Sequence, residues 1–239
     1  LVTGGGGFLG GVIVRMLREQ GDQVVSISRS NYPMLAGLGV EQIQGDLADL
    51  TTVTRAAQGC NIIYHVAAKA GIWGSFDSFY QANVIGTQHI LDVSSKLGIN
   101  KLVYTSSPSV VFDGSDVEGG DESLPYPDHY ESFYPQTKAM AEQLVLQANS
   151  PQLATVSLRP HLIWGPGIII WYRESLPRER AAGCAGSVIA PVWWIRSTWI
   201  MLPEHIYRQL RNLHRIARLQ EKPTLSVIAN LFRYGKWST

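Results

Sequence analysis

The chain has 239 residues, of which 45% are hydrophobic and 16% charged, and its net charge is +1. This balance indicates a globular protein rather than a disordered one, and no apolar run reaches the roughly 18 residues that cross a bilayer. The two cysteines, Cys60 and Cys184, lie far apart and form no metal or redox motif. We therefore expect no metal site and a reducing, cytoplasmic setting.

Apolar runs alternate with helical patterns from residue 1 to residue 167. The opening LVT is typical of the end of a strand, and we expect that strand to extend upstream of Leu1. The next strands are predicted at 23–28, 40–46, 61–68, 101–107 and 154–160, and the helices at 10–20, 49–58, 79–97 and 135–148. This alternation predicts a parallel sheet covered on both faces, a doubly wound, Rossmann-like α/β fold.

The glycine-rich stretch VTGGGGFLGG joins the first strand to the first helix. Gly4, Gly7 and Gly10 have the spacing of a loop that makes a tight turn, admits a pyrophosphate and lets helix and strand pack closely. The phosphates of a nucleotide would then meet unpaired N–H groups at the helix N-terminus. Flexible turns also collect glycine, but this context of strand, turn and helix favours a dinucleotide site.

Two further segments bear on the choice of nucleotide. The second strand ends in Ser28 and Arg29, where NAD-binding folds usually place a carboxylate for the ribose 2′-OH. A guanidinium can grip a 2′-phosphate through two hydrogen bonds, so NADP(H) is favoured over NAD(H), unless Arg29 is only a solvated surface residue. Asp46 follows the third strand and could accept from the adenine amino group, or else be a simple helix N-cap.

Tyr134 and Lys138 form a Y-x-x-x-K pattern on a predicted helix, so the two side chains share a face. A nearby ammonium is expected to lower the pKa of the phenol and let tyrosine act as an acid or base. Ser107, which ends the fifth strand, can hydrogen-bond the same substrate oxygen. The three residues suit proton transfer at a carbonyl or alcohol while a nicotinamide exchanges hydride.

These motifs, in this order, resemble the extended short-chain dehydrogenase/reductases of the NAD-dependent epimerase/dehydratase superfamily. The stretches that carry the resemblance are VTGGGGFLG, GDLAD, HVAAKAG, NVIGT, LVYTSSPSV, YPQTKAMAE and LRPHLIWGPG. The chain is most similar to the 3β-hydroxysteroid dehydrogenase branch, and AAKAGIWGSFDSFYQANVIGT most resembles bacterial 2-alkyl-3-oxoalkanoate reductases. The resemblance covers residues 1–167.

The resemblance implies a site of two parts. Catalysis would fall to Ser107, Tyr134 and Lys138, with Tyr134 protonating the reduced oxygen and Lys138 also holding the nicotinamide ribose. The implied cofactor-binding residues are Gly4, Gly7, Phe8, Leu9, Gly10, Ser28, Arg29, Asp46, Leu47, Ala67, Ala68, Lys69, Tyr134, Lys138 and Pro160. The implied activity is interconversion of a ketone and a secondary alcohol on a bulky apolar substrate, a 2-alkyl-3-oxoalkanoate or a sterol.

The family pattern stops after Gly167. Residues 1–167 hold nine Lys and Arg against fifteen Asp and Glu, whereas residues 168–239 hold eleven against four and five of the seven Trp. A one-base deletion that shifts the reading frame accounts for this change, because Trp has one codon and the forced residues fit the missing family segments. Trp171–Tyr172 and Trp193–Trp194 force valine, and Trp194–Ile195 forces aspartate. We therefore expect a cofactor domain at 1–167 and, at 168–239, an out-of-frame tail in which the substrate lobe is missing or scrambled.

Several alternatives stay open from the sequence. His65 lies in a predicted buried strand and is interpreted as a core residue rather than a catalyst. The aromatic residues between Trp73 and Tyr80 either line an apolar substrate pocket or pack in the core. A nucleotide-sugar epimerase or dehydratase, or a non-catalytic NADP-binding protein, are the rival functions. The expected partners are a small apolar ketone or alcohol and, in the intact family member, a second copy of the chain, with no nucleic acid.

Overall fold

A computed structural model describes residues 1–114 and 121–160 and the backbone of residues 227–230. The strands are β1 Val2–Thr3, β2 Val25–Ser28, β3 Glu41–Gln44, β4 Ile62–His65, β5 Lys101–Thr105, β6 Ala154–Arg159 and β7 Val227–Asn230. The α-helices are α1 Phe8–Glu19, α2 Pro33–Gly37, α3 Leu50–Ala57, α4 Phe76–Tyr80, α5 Gly86–Leu97 and α6 Phe133–Gln147. A π-helical turn, Gln81–Ile85, joins α4 to α5, and a 3₁₀ turn, Pro108–Val111, follows β5.

The strands form one sheet in the order β3-β2-β1-β4-β5-β6-β7, and every neighbouring pair is parallel. The chain runs outward from β1 to β3 and then returns to place β4 on the other side of β1. This reversal is the switch point at which doubly wound sheets bind ligands, beside the carboxyl ends of their strands. The predicted fold class is confirmed.

Apolar side chains pack on both faces of the sheet, as the near-continuous apolar strands predict. One face carries the stripe of α1, whose Ile13, Val14 and Leu17 pack with Val2 of β1. The other face carries α3, α5 and α6, with residues such as Val53, Ile90 and Val145. The central strands are therefore fixed from two sides, which holds their carboxyl ends as a rigid edge.

Sequence patterns predicted all four longer helices to within a few residues but missed three short elements. The helix predicted at 79–97 is continuous with α4 and contains the π-helical turn. Helix α2 and the 3₁₀ turn are too short for their apolar residues to show a helical period in the sequence. Strand β7 lies inside the segment 168–239. The remaining residues of that segment, and the domain boundary at 167, lie outside the described residues. Within the described ranges, no helix is long and apolar enough to cross a membrane.

Candidate active site

The glycine loop has the backbone geometry of a phosphate cradle. Gly4 has φ +70°, in the left-handed region, and a Cβ on it would lie 3.0 Å from Cα of Ala67. A Cβ on Gly10 would collide with the carbonyl oxygen of Gly4. Gly7 is the N-cap of α1, so the N–H groups of Phe8, Leu9 and Gly10 follow in the first turn, where no intrahelical acceptor exists. These open N–H groups and the absent side chains fit a pyrophosphate.

The end of β2 fits the ribose side of a dinucleotide. Ser28 Oγ is buried and has no hydrogen-bond partner among the described residues. Arg29 follows it and is exposed, and no carboxylate occupies either position. A buried hydroxyl with open hydrogen-bonding capacity, next to an exposed guanidinium, suits an anionic or polar group such as the predicted 2′-phosphate.

Asp46 and Leu47 lie in the turn between β3 and α3. Asp46 is exposed, and its Oδ1 accepts from the N–H of Ala48 at 3.0 Å. The N-cap of α3 is instead Asp49, which accepts from the N–H of Thr51, so the N-cap alternative for Asp46 is wrong. Leu47 is buried and its carbonyl accepts from His89 Nδ1. The carboxylate of Asp46 therefore stands at the carboxyl edge of β3.

Residues Ala67–Lys69 follow β4 and are held by two buried side chains. Thr3 Oγ1 accepts from the N–H of Ala67 at 3.0 Å. Asn83 accepts from the N–H of Lys69 at 2.7 Å and donates to its carbonyl at 3.1 Å. Asn83 also donates to Thr137 Oγ1, at 3.0 Å, on the helix that carries Tyr134 and Lys138.

Asn83 is thus a site residue that the sequence analysis missed. It lies in the π-helical turn, an irregularity that is frequent at functional sites, and it is almost fully buried. A polar residue inside the NVIGT stretch, on the apolar face of a helix, was the signal that could have identified it.

The structure brings Ser107, Tyr134 and Lys138 together. Ser107 follows β5 and caps the 3₁₀ turn, and its Oγ hydrogen-bonds Ser109 Oγ at 2.8 Å. Tyr134 lies on the first turn of α6, close enough to Ser107 for the serine hydroxyl to lower the pKa of its phenol. Lys138 is buried one turn further along, and its Nζ donates to the carbonyl of Thr105, also at the end of β5, at 2.6 Å.

The expected effect of Lys138 on Tyr134 is wrong. Burial raises the pKa of Tyr134, and the hydroxyl of Ser107 opposes this rise only in part. The ammonium of Lys138 is directed to Thr105 and lies 4.1 Å from the centre of the Tyr104 ring, and burial lowers its own pKa to about 7. Tyr134 therefore stays protonated at neutral pH, which is the state that a proton donor needs.

His65 is a core residue, as the sequence analysis interpreted it. Its Nδ1 and Nε2 hydrogen-bond Thr3 Oγ1 at 2.8 Å and Thr87 Oγ1 at 2.9 Å, and the ring is buried. Both nitrogens are used within the fold, so neither is left for a substrate.

The burial of His65 predicts acid sensitivity. Burial, with a smaller contribution from the charge of Lys138, lowers the pKa of His65 from 6.5 to about 3. Between these values the unfolded chain binds a proton that the folded chain does not. The free energy of unfolding should therefore fall as the pH is lowered below 6.5, by up to about 1.4 kcal/mol per pH unit. Urea unfolding of the wild type and of His65→Asn from pH 7 to pH 4 checks this: the stability difference should narrow on acidification. The exposed His129→Asn is the control, and parallel curves for His65→Asn would contradict the prediction.

The aromatic residues between Trp73 and Tyr80 divide between core and surface. Phe79 is buried, whereas Trp73 is 76% exposed and Phe76 37% exposed. Phe76 stacks edge-on against Phe133, 5.7 Å between ring centres, and Phe133 directly precedes Tyr134. The core interpretation is therefore confirmed for Phe79, and the exposed Phe76 and Phe133 form an apolar rim beside Tyr134. That the exposed aromatic residues line a substrate pocket stays a prediction.

Comparison with known proteins identifies the family of this chain. The model of the 3-beta hydroxysteroid dehydrogenase/isomerase family matches residues 1–175. The chain belongs to this family. Among members of the 3-beta hydroxysteroid dehydrogenase/isomerase family and their relatives, a 2-alkyl-3-oxoalkanoate reductase of Stenotrophomonas maltophilia is 53% identical over 169 residues, covering 70% of this chain and 51% of the relative. A 3 beta-hydroxysteroid dehydrogenase/Delta 5-->4-isomerase of Mycobacterium tuberculosis is 37% identical, covering 73% of this chain and 49% of the relative.

A solved structure supports the fold assignment. A short-chain dehydrogenase/reductase superfamily protein from Agrobacterium tumefaciens, crystallised with bound NAD, is 28% identical with a TM-score of 0.62. It aligns with 69% of this chain and 49% of its own. The chain spans about half the length of the curated relatives it matches.

Proposed function

We propose that this chain carries the cofactor domain and catalytic residues of an NADP(H)-dependent oxidoreductase that interconverts a ketone and a secondary alcohol. The observation that carries the proposal is the grouping of Ser107, Tyr134 and Lys138 at the carboxyl end of β5, on the same sheet edge as the glycine loop. Family membership supports the oxidoreductase activity, and the NAD bound by the related Agrobacterium tumefaciens protein supports a nicotinamide dinucleotide as cofactor. A non-catalytic NADP-binding protein would have no need of this grouping.

Each of the three grouped residues has its own role in the proposed reaction. A bound nicotinamide supplies or accepts the hydride at the carbonyl carbon. Tyr134 Oη donates its proton to the oxygen as the C=O double bond becomes a C–O single bond, which leaves a phenolate, and Ser107 Oγ hydrogen-bonds the same oxygen. Lys138 would hold the nicotinamide ribose, and the phenol would regain its proton from solvent. The reverse sequence oxidises an alcohol.

A bulky apolar substrate is the proposed class, with a 2-alkyl-3-oxoalkanoate first and a sterol second. The Stenotrophomonas maltophilia and Mycobacterium tuberculosis relatives carry the corresponding names. The apolar rim of Phe76 and Phe133 lies next to Tyr134, which suits an alkyl or ring system better than a nucleotide-sugar. Cytoplasmic location and a homodimer of the intact protein stay predictions.

We also propose that residues 168–239 are an out-of-frame translation. The match to the family model ends at residue 175, close to the point where the family motifs stop. Sequencing the gene from independent isolates tests this. A repeated one-base deletion after the codon for Gly167 supports it, and an intact open frame that encodes this same tail in a related organism would refute it.

The activity test uses the protein with its frame restored. Purified protein, NADPH and a 2-alkyl-3-keto acid should consume the reduced nicotinamide, followed by its absorbance, and produce the hydroxy acid. A UDP-sugar or dTDP-sugar should give no epimer or dehydrated product. No consumption of NADPH with any 3-keto acid or 3-ketosteroid would overturn the reductase proposal.

The preference for NADP(H) is tested at Arg29. Replacing Arg29 with alanine should weaken NADPH binding about 10- to 100-fold, the loss expected for a charge-assisted hydrogen bond to phosphate, and change NADH binding by less than about twofold. Fluorescence titration of the 239-residue chain with each cofactor measures this. Arg15→Ala, on the exposed face of α1, is the matched control. An equal effect on both cofactors would contradict the proposed preference.

A further inference from the structure

The segment Arg29–Tyr32, between β2 and α2, is held by a side chain from the neighbouring strand. Gln42 of β3 accepts from the N–H of Tyr32 at 2.8 Å and donates to the carbonyl of Tyr32 at 3.1 Å. One carboxamide therefore satisfies both polar groups of one peptide position, in the way that a neighbouring strand would. The bonds are partly buried, which strengthens them relative to exposed ones.

A second glutamine holds the other end of the same segment. Gln44 Nε2 donates to the carbonyl of Arg29 at 3.0 Å, in an exposed position. Gln42 and Gln44 are two residues apart on β3, so their side chains leave the same face of the strand. The register places them beside Ser26 and Ser28 of β2. The two amides thus contact the first and last residues of the segment.

Tyr32 also connects this segment to the glycine loop. A Cβ on Gly6 would collide with the ring of Tyr32, so the ring lies directly against the loop backbone. Tyr32 is then the N-cap of α2, with Pro33 as the first helical residue. The segment that carries Arg29 is consequently bounded by β3 on one side and by the phosphate-binding loop on the other.

We propose that Gln42, assisted by Gln44, is a positioning residue for cofactor selection, which holds the Arg29–Tyr32 segment in the conformation that recognises a 2′-phosphate. This inference rests on the proposed NADP(H) preference and adds residues that touch no cofactor. Its physical basis is preorganisation. Helix α2 has only five residues, and a loop that must be ordered upon binding loses affinity for the group it recognises. A loop whose peptide groups are already held in place does not lose this affinity.

The test replaces Gln42 with methionine, which keeps the length and volume of the side chain and removes both hydrogen bonds. In the 239-residue chain, NADPH affinity should fall about 5- to 20-fold while NADH affinity changes by less than about twofold. Without any cofactor, the N–H of Tyr32 should exchange with deuterium faster than in the wild type, because it loses its acceptor. Gln44→Met should also weaken NADPH binding selectively, with a smaller loss of affinity. It replaces Gln42→Met in the test if that variant fails to fold. Gln58→Met, an exposed glutamine after α3, is the control.

A double variant separates this inference from the proposal beneath it. If Gln42 acts through Arg29, then Gln42→Met should add little to the loss already caused by Arg29→Ala. Full additivity, equal losses for both cofactors, or unchanged exchange at Tyr32 would overturn the role of Gln42. If Arg29→Ala itself leaves the NADPH-to-NADH ratio unchanged, the proposed cofactor preference fails, and the inference falls with it.

Discussion

Replacing Tyr134 with phenylalanine is expected to lower kcat about 10²- to 10⁴-fold, the range that a positioned general acid contributes. The phenyl ring keeps the packing of the first turn of α6, and only the hydroxyl that would protonate the substrate oxygen is lost. NADPH affinity should change by less than about twofold, because the glycine loop and the end of β2 are untouched. Steady-state kinetics of the frame-restored protein and cofactor titration of the 239-residue chain measure the two effects.

The control for this experiment is a tyrosine that lacks the catalytic surroundings. Tyr80, at the end of α4, is half-buried and stacks against Phe76 with 5.6 Å between ring centres. Tyr80→Phe keeps that ring and should keep kcat within about threefold of the wild type. If Tyr134→Phe retains wild-type kcat, another group protonates the substrate and the assignment of Tyr134 is wrong. If both variants lose kcat equally, the effect comes from the rim rather than from the hydroxyl.

The fold and the grouping of the candidate catalytic residues could be predicted because most of their determinants are local. The glycine spacing and the period of the apolar residues depend on neighbours along the chain, and so do Tyr134 and Lys138, one helical turn apart. Gly10 illustrates this: the spacing predicts close packing of helix and strand, and the structure shows that a Cβ there would strike the carbonyl of Gly4.

What could not be predicted depends on contacts between distant segments. Gln42 and Tyr32 are ten residues apart and meet only because β2 and β3 are parallel neighbours. Asn83 reaches Thr137 across 54 residues, through a π-helical turn that no periodic pattern reveals. The pKa of Tyr134 was predicted in the wrong direction, because the sequence shows which charge is near but not how deeply the phenol is buried.

Replacing Glu142 should destabilise the fold strongly. It lies one turn beyond Lys138 on α6, is fully buried, and accepts from the guanidinium of the buried Arg159 on β6. Tyr126 Oη and Ser157 Oγ donate to its two carboxylate oxygens at 2.7 and 2.8 Å. Burial would raise the pKa of Glu142, but the hydrogen bonds from Arg159 and Tyr126 outweigh it and hold the pKa below its usual value.

Glu142→Ala should lower the free energy of unfolding by about 3–5 kcal/mol, because it leaves the guanidinium of Arg159 buried without a counter-charge. Urea denaturation of the 239-residue chain measures this, and the exposed Glu131→Ala should change stability by less than about 0.5 kcal/mol. The double variant Glu142→Met, Arg159→Met should recover much of the loss, since apolar side chains of similar volume remove both buried charges. A double variant no more stable than Glu142→Ala would show that packing around α6, rather than the unpaired charge, sets the cost.

The position of this ion pair makes the same substitution relevant to catalysis. Glu142, Lys138 and Tyr134 are spaced four residues apart and share one face of α6, and Arg159 directly precedes Pro160 at the carboxyl end of β6. The negative charge of Glu142 opposes the fall in the pKa of Lys138 that burial causes. Removing the carboxylate should therefore lower the pKa of Lys138 further and leave less of its ammonium form at neutral pH. Arg159 anchors the same carboxylate to β6. The buried Glu142–Arg159 ion pair therefore fixes the orientation of α6 and also favours the charged form of Lys138.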